Sequence, residues 1–133
     1  MPSAASFANE SAAPVADVSH DPGRVVAKAV VRAAGELGLS QQELAKIIGV
    51  SAATASRMKD GQYALTGKPL ELATCLIRVF RSLDSMTGGE KAVMMAWMHN
   101  ANTDLGGVPA GLVATVPGLI GVMNYLDAVR APV

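Results

Sequence analysis

The sequence is poor in aromatic residues: one Trp, two Tyr and two Phe make up 4% of its 133 positions. The apolar half of the chain therefore rests on Ala, Val, Leu and Met, which favours closely packed helices. Cysteine occurs once, so no internal disulfide can form and nothing points to an oxidising compartment. Cys75 lies in an apolar helical pattern and is expected in the core. The two histidines, His20 and His99, stand far apart, with no Asp, Glu or Cys at metal-ligand spacing. No glycine-rich phosphate loop precedes a Lys-Ser or Lys-Thr pair. These absences argue against an enzyme, and neither a metal nor a cofactor is expected. The first residues lack a charged start and a long apolar run, so they are not a signal peptide, and the expected location is the cytoplasm.

An excess of one charge is also missing, since eleven basic residues balance eleven acidic ones. The whole chain is thus no basic nucleic-acid binder. The distribution is uneven, however. Between Arg24 and Arg81 nine basic residues face four acidic ones, a balance of +5 that leaves −5 for the remainder. A basic half can attract phosphate while the other half avoids it. Leu105 to Leu126 is a run of 22 uncharged residues. Pro109, Pro117 and five glycines break it, so two short packed helices are expected there and no membrane span.

The most informative stretch is Leu39 to Gly61. Ser40 and Glu43 form a capping box, and Leu44, Ala45, Ile47 and Ile48 give the helix a buried face. Gly49 suits a left-handed turn, Val50 plugs it, Ser51 caps a second helix and Gly61 ends it. Leu39-Ser40-Gln41, Glu43-Leu44-Ala45, Gly49-Val50-Ser51, Ser56-Arg57 and Gly61 together resemble the helix-turn-helix of the Xre (phage-repressor-like) family. The resemblance implies that the second helix enters the DNA major groove. Ala55 and Met58 should point into the bundle, leaving Ala52, Ala53, Ser56 and Arg57 outward. Matched to the family motif, Ala52, Ala53 and Arg57 occupy base-reading positions. Gln41, Ser51 and Thr54 occupy phosphate-contacting ones, and Lys59 adds charge. Arg57 can pair with guanine through two hydrogen bonds, whereas the alanines can only touch thymine methyls.

Around this motif an all-α bundle is expected. Residues 1–21 read as a mobile N-terminal arm. Residues 22–67 form the helix-turn-helix DNA-binding region, and residues 68–133 a helical dimerisation domain. The first helix spans about Arg24 to Leu37, with Asp21 as cap and Pro22 in its first turn. A long helix from about Pro69 to Leu83 carries two apolar stripes and should be buried on more than one side. Thr87-Gly88-Gly89-Glu90 reads as a capping box opening a helix to His99, with Val93, Met94 and Trp97 on one face. Short helices follow near Pro109–Ala114 and Pro117–Val129.

From Trp97 onward the chain resembles the C-terminal toxin-binding domain of the MbcA/ParS/Xre antitoxins. The matching residues are Trp97, Asn102, Leu105, Gly106, Pro109, Leu112, Gly118, Leu119, Val122 and Leu126. Ala101 departs from the proline that often precedes the family's asparagine. The resemblance implies that residues 68–133 are also the toxin-binding domain of an antitoxin, which holds a NAD-consuming RES-domain toxin inactive and represses their shared operon. Expected partners are that toxin, operator DNA and a second copy of the chain, joined through the long helix or the C-terminal domain. Candidate toxin contacts are Asn102, Tyr125, Asp127, Arg130 and Val133, although Asn102 can equally tie its own loop. A stand-alone Xre-type regulator with a sensing or dimerisation domain is the alternative. A neighbouring toxin gene would discriminate between the two.

Overall fold

The computed structural model describes residues 21–132. Among them the chain is all-α, with seven helices and one isolated antiparallel bridge, Asn102 to Gly107. Helix α1 spans Pro22–Glu36. The Asp21 carboxylate accepts from the Gly23 and Arg24 N–H groups at 2.7 and 3.3 Å, satisfying donors that the first turn leaves free. Ala27, Val30, Ala34 and Leu37 recur at helical spacing and are buried. Helices α2 (Gln41–Ile48) and α3 (Ala52–Lys59) follow as an angled pair.

The centre of the molecule is α4, Gly67–Thr87. Its main neighbours are α1 on one side and α7 (Val116–Arg130) on the other. Ala73, Leu76, Val79 and Leu83 are wholly enclosed between them. Between α4 and α7 the chain forms α5 (Lys91–His99) and the single turn α6 (Pro109–Leu112). One apolar cluster runs from Val30, Leu37 and Met58 through Leu76 and Leu83 to Leu119 and Leu126. The helix-turn-helix and the C-terminal helices therefore share a core. No helix of the described residues is long and apolar enough to cross a membrane, so the uncharged run resolves into α6 and α7.

Three local expectations are corrected. The long helix extends past Leu83 to Thr87, and Thr87 caps nothing: its hydroxyl donates to the Leu83 carbonyl at 2.7 Å. A Thr still inside a helix bonds back to the preceding turn, and Gly88 with φ 64° then ends the helix. Glu90 takes the N-cap position of α5 without a side-chain bond. On α5 the buried pair is Met94 and Met98, four residues apart, while Val93 is exposed and Trp97 half-buried. Cys75 is likewise half-buried on α4 instead of enclosed. Burial still pushes its thiol pKa up, with Arg78 opposing and Glu71 assisting. The arm read at residues 1–21 lies, apart from Asp21, outside the described residues.

Gly118 is required for space. A Cβ there would stand 1.8 Å from the Leu112 carbonyl oxygen, so only glycine lets α7 start against the end of α6. Its N–H donates to the Thr115 hydroxyl at 3.1 Å, which caps α7.

Candidate nucleic-acid and partner interfaces

The Ser40 hydroxyl accepts from the Glu43 N–H at 3.0 Å, and the Glu43 carboxylate accepts from the Ser40 N–H at 2.7 Å. This reciprocal box fixes where α2 begins. Gly49, at φ 76°, reverses the chain in a left-handed conformation that a side chain would strain. The Val50 N–H then reaches back to the Ala45 carbonyl at 3.0 Å. The Ser51 hydroxyl accepts from the Thr54 N–H at 3.0 Å and starts α3. Ala55 and Met58 are fully enclosed. Their burial fixes the rotation of α3, so that Ala52, Ala53, Ser56 and Arg57 lie exposed on its outer face.

Arg57 is held. Its guanidinium carbon lies 5.1 Å from the centroid of the Tyr63 ring, in cation–π geometry. Tyr63 itself packs on the core, so the loop after α3 supports the arginine from one side. A guanidinium stacked in this way keeps its donor edge free while losing rotational freedom, which suits planar two-point recognition.

Gln41, matched to a phosphate-contacting position, and Lys59, expected to add charge, are brought together. They line one cleft of about 150 Å³ with Ser40, floored by Val31, Ala34, Leu39 and Leu44. The first turn of α2 offers free N–H groups and Lys59 a full positive charge. Thr54 is half-buried, and the Ser51 and Thr54 hydroxyls lie 3.1 Å apart, so both are partly committed to the cap.

Sequence reasoning missed a neighbouring feature. Arg24 donates to the Gly61 carbonyl at 3.0 Å, and Arg24, Val25, Lys28 and Gly61 line a second cleft of about 170 Å³. Arg24 and Lys28 are four apart on one helix face, a visible signal, but their approach to the end of α3 is tertiary.

At the other end of the molecule, Asn102 folds its own loop. Its side-chain oxygen accepts from the Leu105 N–H at 3.2 Å, and its carbonyl accepts from the Gly106 N–H at 2.9 Å. The Tyr125 hydroxyl donates to Asp104 at 3.0 Å, tying α7 to that loop. This bond to a carboxylate is the first cause that raises the Tyr125 pKa above the ordinary phenol value. Asp127 pairs with Arg78 on α4 at 2.7 Å. Tyr125 and Asp127 are thus half-buried and engaged within the chain, whereas Arg130 in the last turn is exposed. Val133 lies outside the described residues. The apolar surface is concentrated here. Among the described residues, seven large hydrophobic side chains are exposed; six of these (Met86, Val93, Met95, Val108, Val116 and Val129) lie beyond α4's midpoint and Val25 lies before it.

Comparison with known families divides the chain at the same place. Residues 16–78 match the antitoxin Xre-like helix-turn-helix domain. Residues 82–131 match the antitoxin Xre/MbcA/ParS C-terminal toxin-binding domain. No curated protein matches the chain. A helix-turn-helix with its recognition face open, joined through one central helix to a toxin-binding helical region, defines a helix-turn-helix antitoxin. The chain belongs to the Xre/MbcA/ParS antitoxin family.

Proposed function

We propose that this antitoxin neutralises a RES-type, NAD-consuming toxin through its C-terminal region and represses its own operon, as a homodimer, through its helix-turn-helix. The observation that carries this reading is the separation of two surfaces. The basic, outward face of α3 lies in the half matched to the helix-turn-helix, and among the described residues all but one of the exposed large apolar side chains lie in the toxin-binding span.

On the DNA side, Arg57 reads a base. Gln41 with Lys59 grips phosphate, and the Ser51 and Thr54 end of α3 approaches the backbone. Ala52, Ala53 and Ser56 allow close approach and offer little polar discrimination, so shape and repeated sites share in the specificity. On the toxin side, the Asn102 loop and Tyr125 give a fixed outline, and Arg130 offers an exposed charge beside exposed Val129. The regulatory role follows from the pair: one chain senses whether its toxin is covered and whether its promoter is free.

Co-expression with the product of the adjacent gene tests the reading. The expected result is a co-purifying complex, with cellular NAD preserved when the antitoxin is present and lost when it is absent. In parallel, upstream promoter DNA should be retarded by the wild-type chain and much less by Arg57→Ala. A toxin that stays active beside equimolar antitoxin refutes the first half. An unchanged shift with Arg57→Ala refutes the second.

A further inference from the structure

We propose that the groove between α1 and α4 seats the same groove of a second copy of this chain, related by a two-fold axis. The groove has a volume of about 450 Å³. Its apolar floor includes Ala29, Ile77 and Phe80, the last two half-buried. Its rim is charged in both signs: Arg32 and Arg81, with Glu36 and Asp84. Among the described residues, ion pairs join Lys68 to Glu71, Arg78 to Asp127 and Lys91 to Glu36. Arg32, Arg81 and Asp84 enter none of them, and Glu36 meets Lys91 only at 3.9 Å. Four rim charges thus surround an aromatic floor with almost no internal neutralisation.

The balance of signs identifies the occupant. A phosphate or an acidic segment would be repelled by Glu36 and Asp84, and a basic one by Arg32 and Arg81. A copy of the same surface turned about a two-fold axis brings each arginine of one chain towards a carboxylate of the other. This self-complementarity is what an isologous contact demands. Phe80 and Ile77 would then be covered at its centre.

The position also fits. At about 100° per residue, α1 presents three faces about 90° to 160° apart. One, around Ala27, Val30 and Ala34, is buried. A second carries Arg24 and Lys28 beside the end of α3. The third, Ala29, Arg32 and Glu36, lines the groove. Joining two copies through the third face leaves the second face and α3 open to DNA on both chains. The inference rests on the dimeric operator binding proposed above and names the surface that makes the dimer.

Sedimentation of the full chain and two charge reversals, Arg81→Glu and Asp84→Arg, tests it. Both residues are exposed, so neither substitution enters the core, and far-UV circular dichroism confirms folding. The wild type should be dimeric at micromolar concentration. Each variant alone should place like charges opposite one another and raise the dimer dissociation constant by about 100-fold or more. Mixed in equal amounts, the two variants should form a heterodimer again. The carboxylate introduced by Arg81→Glu on one chain then faces the guanidinium introduced by Asp84→Arg on the other, and the remaining native Asp84–Arg81 pair stays intact across the axis. A monomeric wild type overturns the proposal, as do variants that dimerise like wild type or a mixture that stays monomeric. A monomeric wild type whose toxin no longer co-purifies after Arg81→Glu assigns the groove to the toxin instead. A monomeric wild type that still shifts promoter DNA through Arg57 removes the groove contact and leaves the DNA reading standing.

Discussion

Substituting alanine at Gly118 and at Gly121 should have opposite effects, although the two lie three residues apart on α7. At Gly118 the new Cβ would sit 1.8 Å from the Leu112 carbonyl oxygen and 2.7 Å from its carbon. Real contacts of this kind begin near 3.0 Å, so α7 or the end of α6 must move by more than an ångström. That carbonyl is anchored by the Thr115 N–H and hydroxyl, each at 3.4 Å. The same movement pulls the Gly118 N–H off the Thr115 hydroxyl. Overpacking costs about 1–3 kcal/mol and loss of a cap about 1 kcal/mol. The intrinsic gain of alanine over glycine in a helix, about 1 kcal/mol, offsets part of this. A net loss of about 1–3 kcal/mol remains for Gly118→Ala. At Gly121 no heavy atom lies within 4 Å of the new Cβ, so only the gain of about 1 kcal/mol applies. At about 4 °C per kcal/mol for a domain of this size, the two melting temperatures should differ by about 10 °C. Thermal unfolding followed by circular dichroism measures this directly. Equal melting temperatures would refute the claim that backbone crowding sets the α6–α7 junction. Because the affected elements lie in the toxin-binding span, Gly118→Ala should also weaken toxin retention more than promoter binding.

Other outcomes follow from the same geometry. Lys59→Ala should weaken promoter binding evenly across sequences and reduce the slope of log affinity against log salt by about one, measured by titration at several salt concentrations; an unchanged slope places Lys59 away from phosphate. Tyr63→Leu should remove the support under Arg57 and lower discrimination between promoter and random DNA, with far-UV spectra unchanged. Ser51→Ala should cost about 1 kcal/mol of stability through the lost cap of α3, read in urea unfolding. For Tyr125, the bond to Asp104 raises the folded-state pKa, so its contribution is full below the unfolded value of about 10 and falls as pH rises through the folded one. In a Tyr63→Phe background, phenolate absorbance should show Tyr125 titrating above an ordinary tyrosine, and Asp104→Ala should bring it down.

The helix-turn-helix was readable because its signals are local. Ser40 with Glu43, Gly49, and Ser51 each act within four residues, and the structure realises each where the pattern placed it. The rotation of α3 followed from Ala55 and Met58, whose three-residue spacing puts them on one face. Thr87-Gly88-Gly89-Glu90 misled because a threonine three before a glutamate has the same spelling at the start of one helix and the end of another. What decided between them was the pair of left-handed glycines, Gly88 and Gly89, which end α4 after Thr87. Side-chain unions across elements were not readable at all. Arg24 with Gly61, Arg78 with Asp127 and Tyr125 with Asp104 are separated by 37, 49 and 21 positions, and no periodicity reports such distances. The sequence accordingly offers Tyr125 and Asp127 as toxin contacts, although each already has an internal partner.

Because α4 is clasped by α1 on one flank and α7 on the other, the described residues form one shared core and not two separable halves. Removing α7 takes Leu119, Val122 and Leu126 out of the cluster that also holds Val30, Leu37 and Met58. Under the proposed repression of its own operon, turnover of this antitoxin would unmask the poison and unlock the promoter in a single event, and fresh antitoxin synthesis would be timed to the loss of the old.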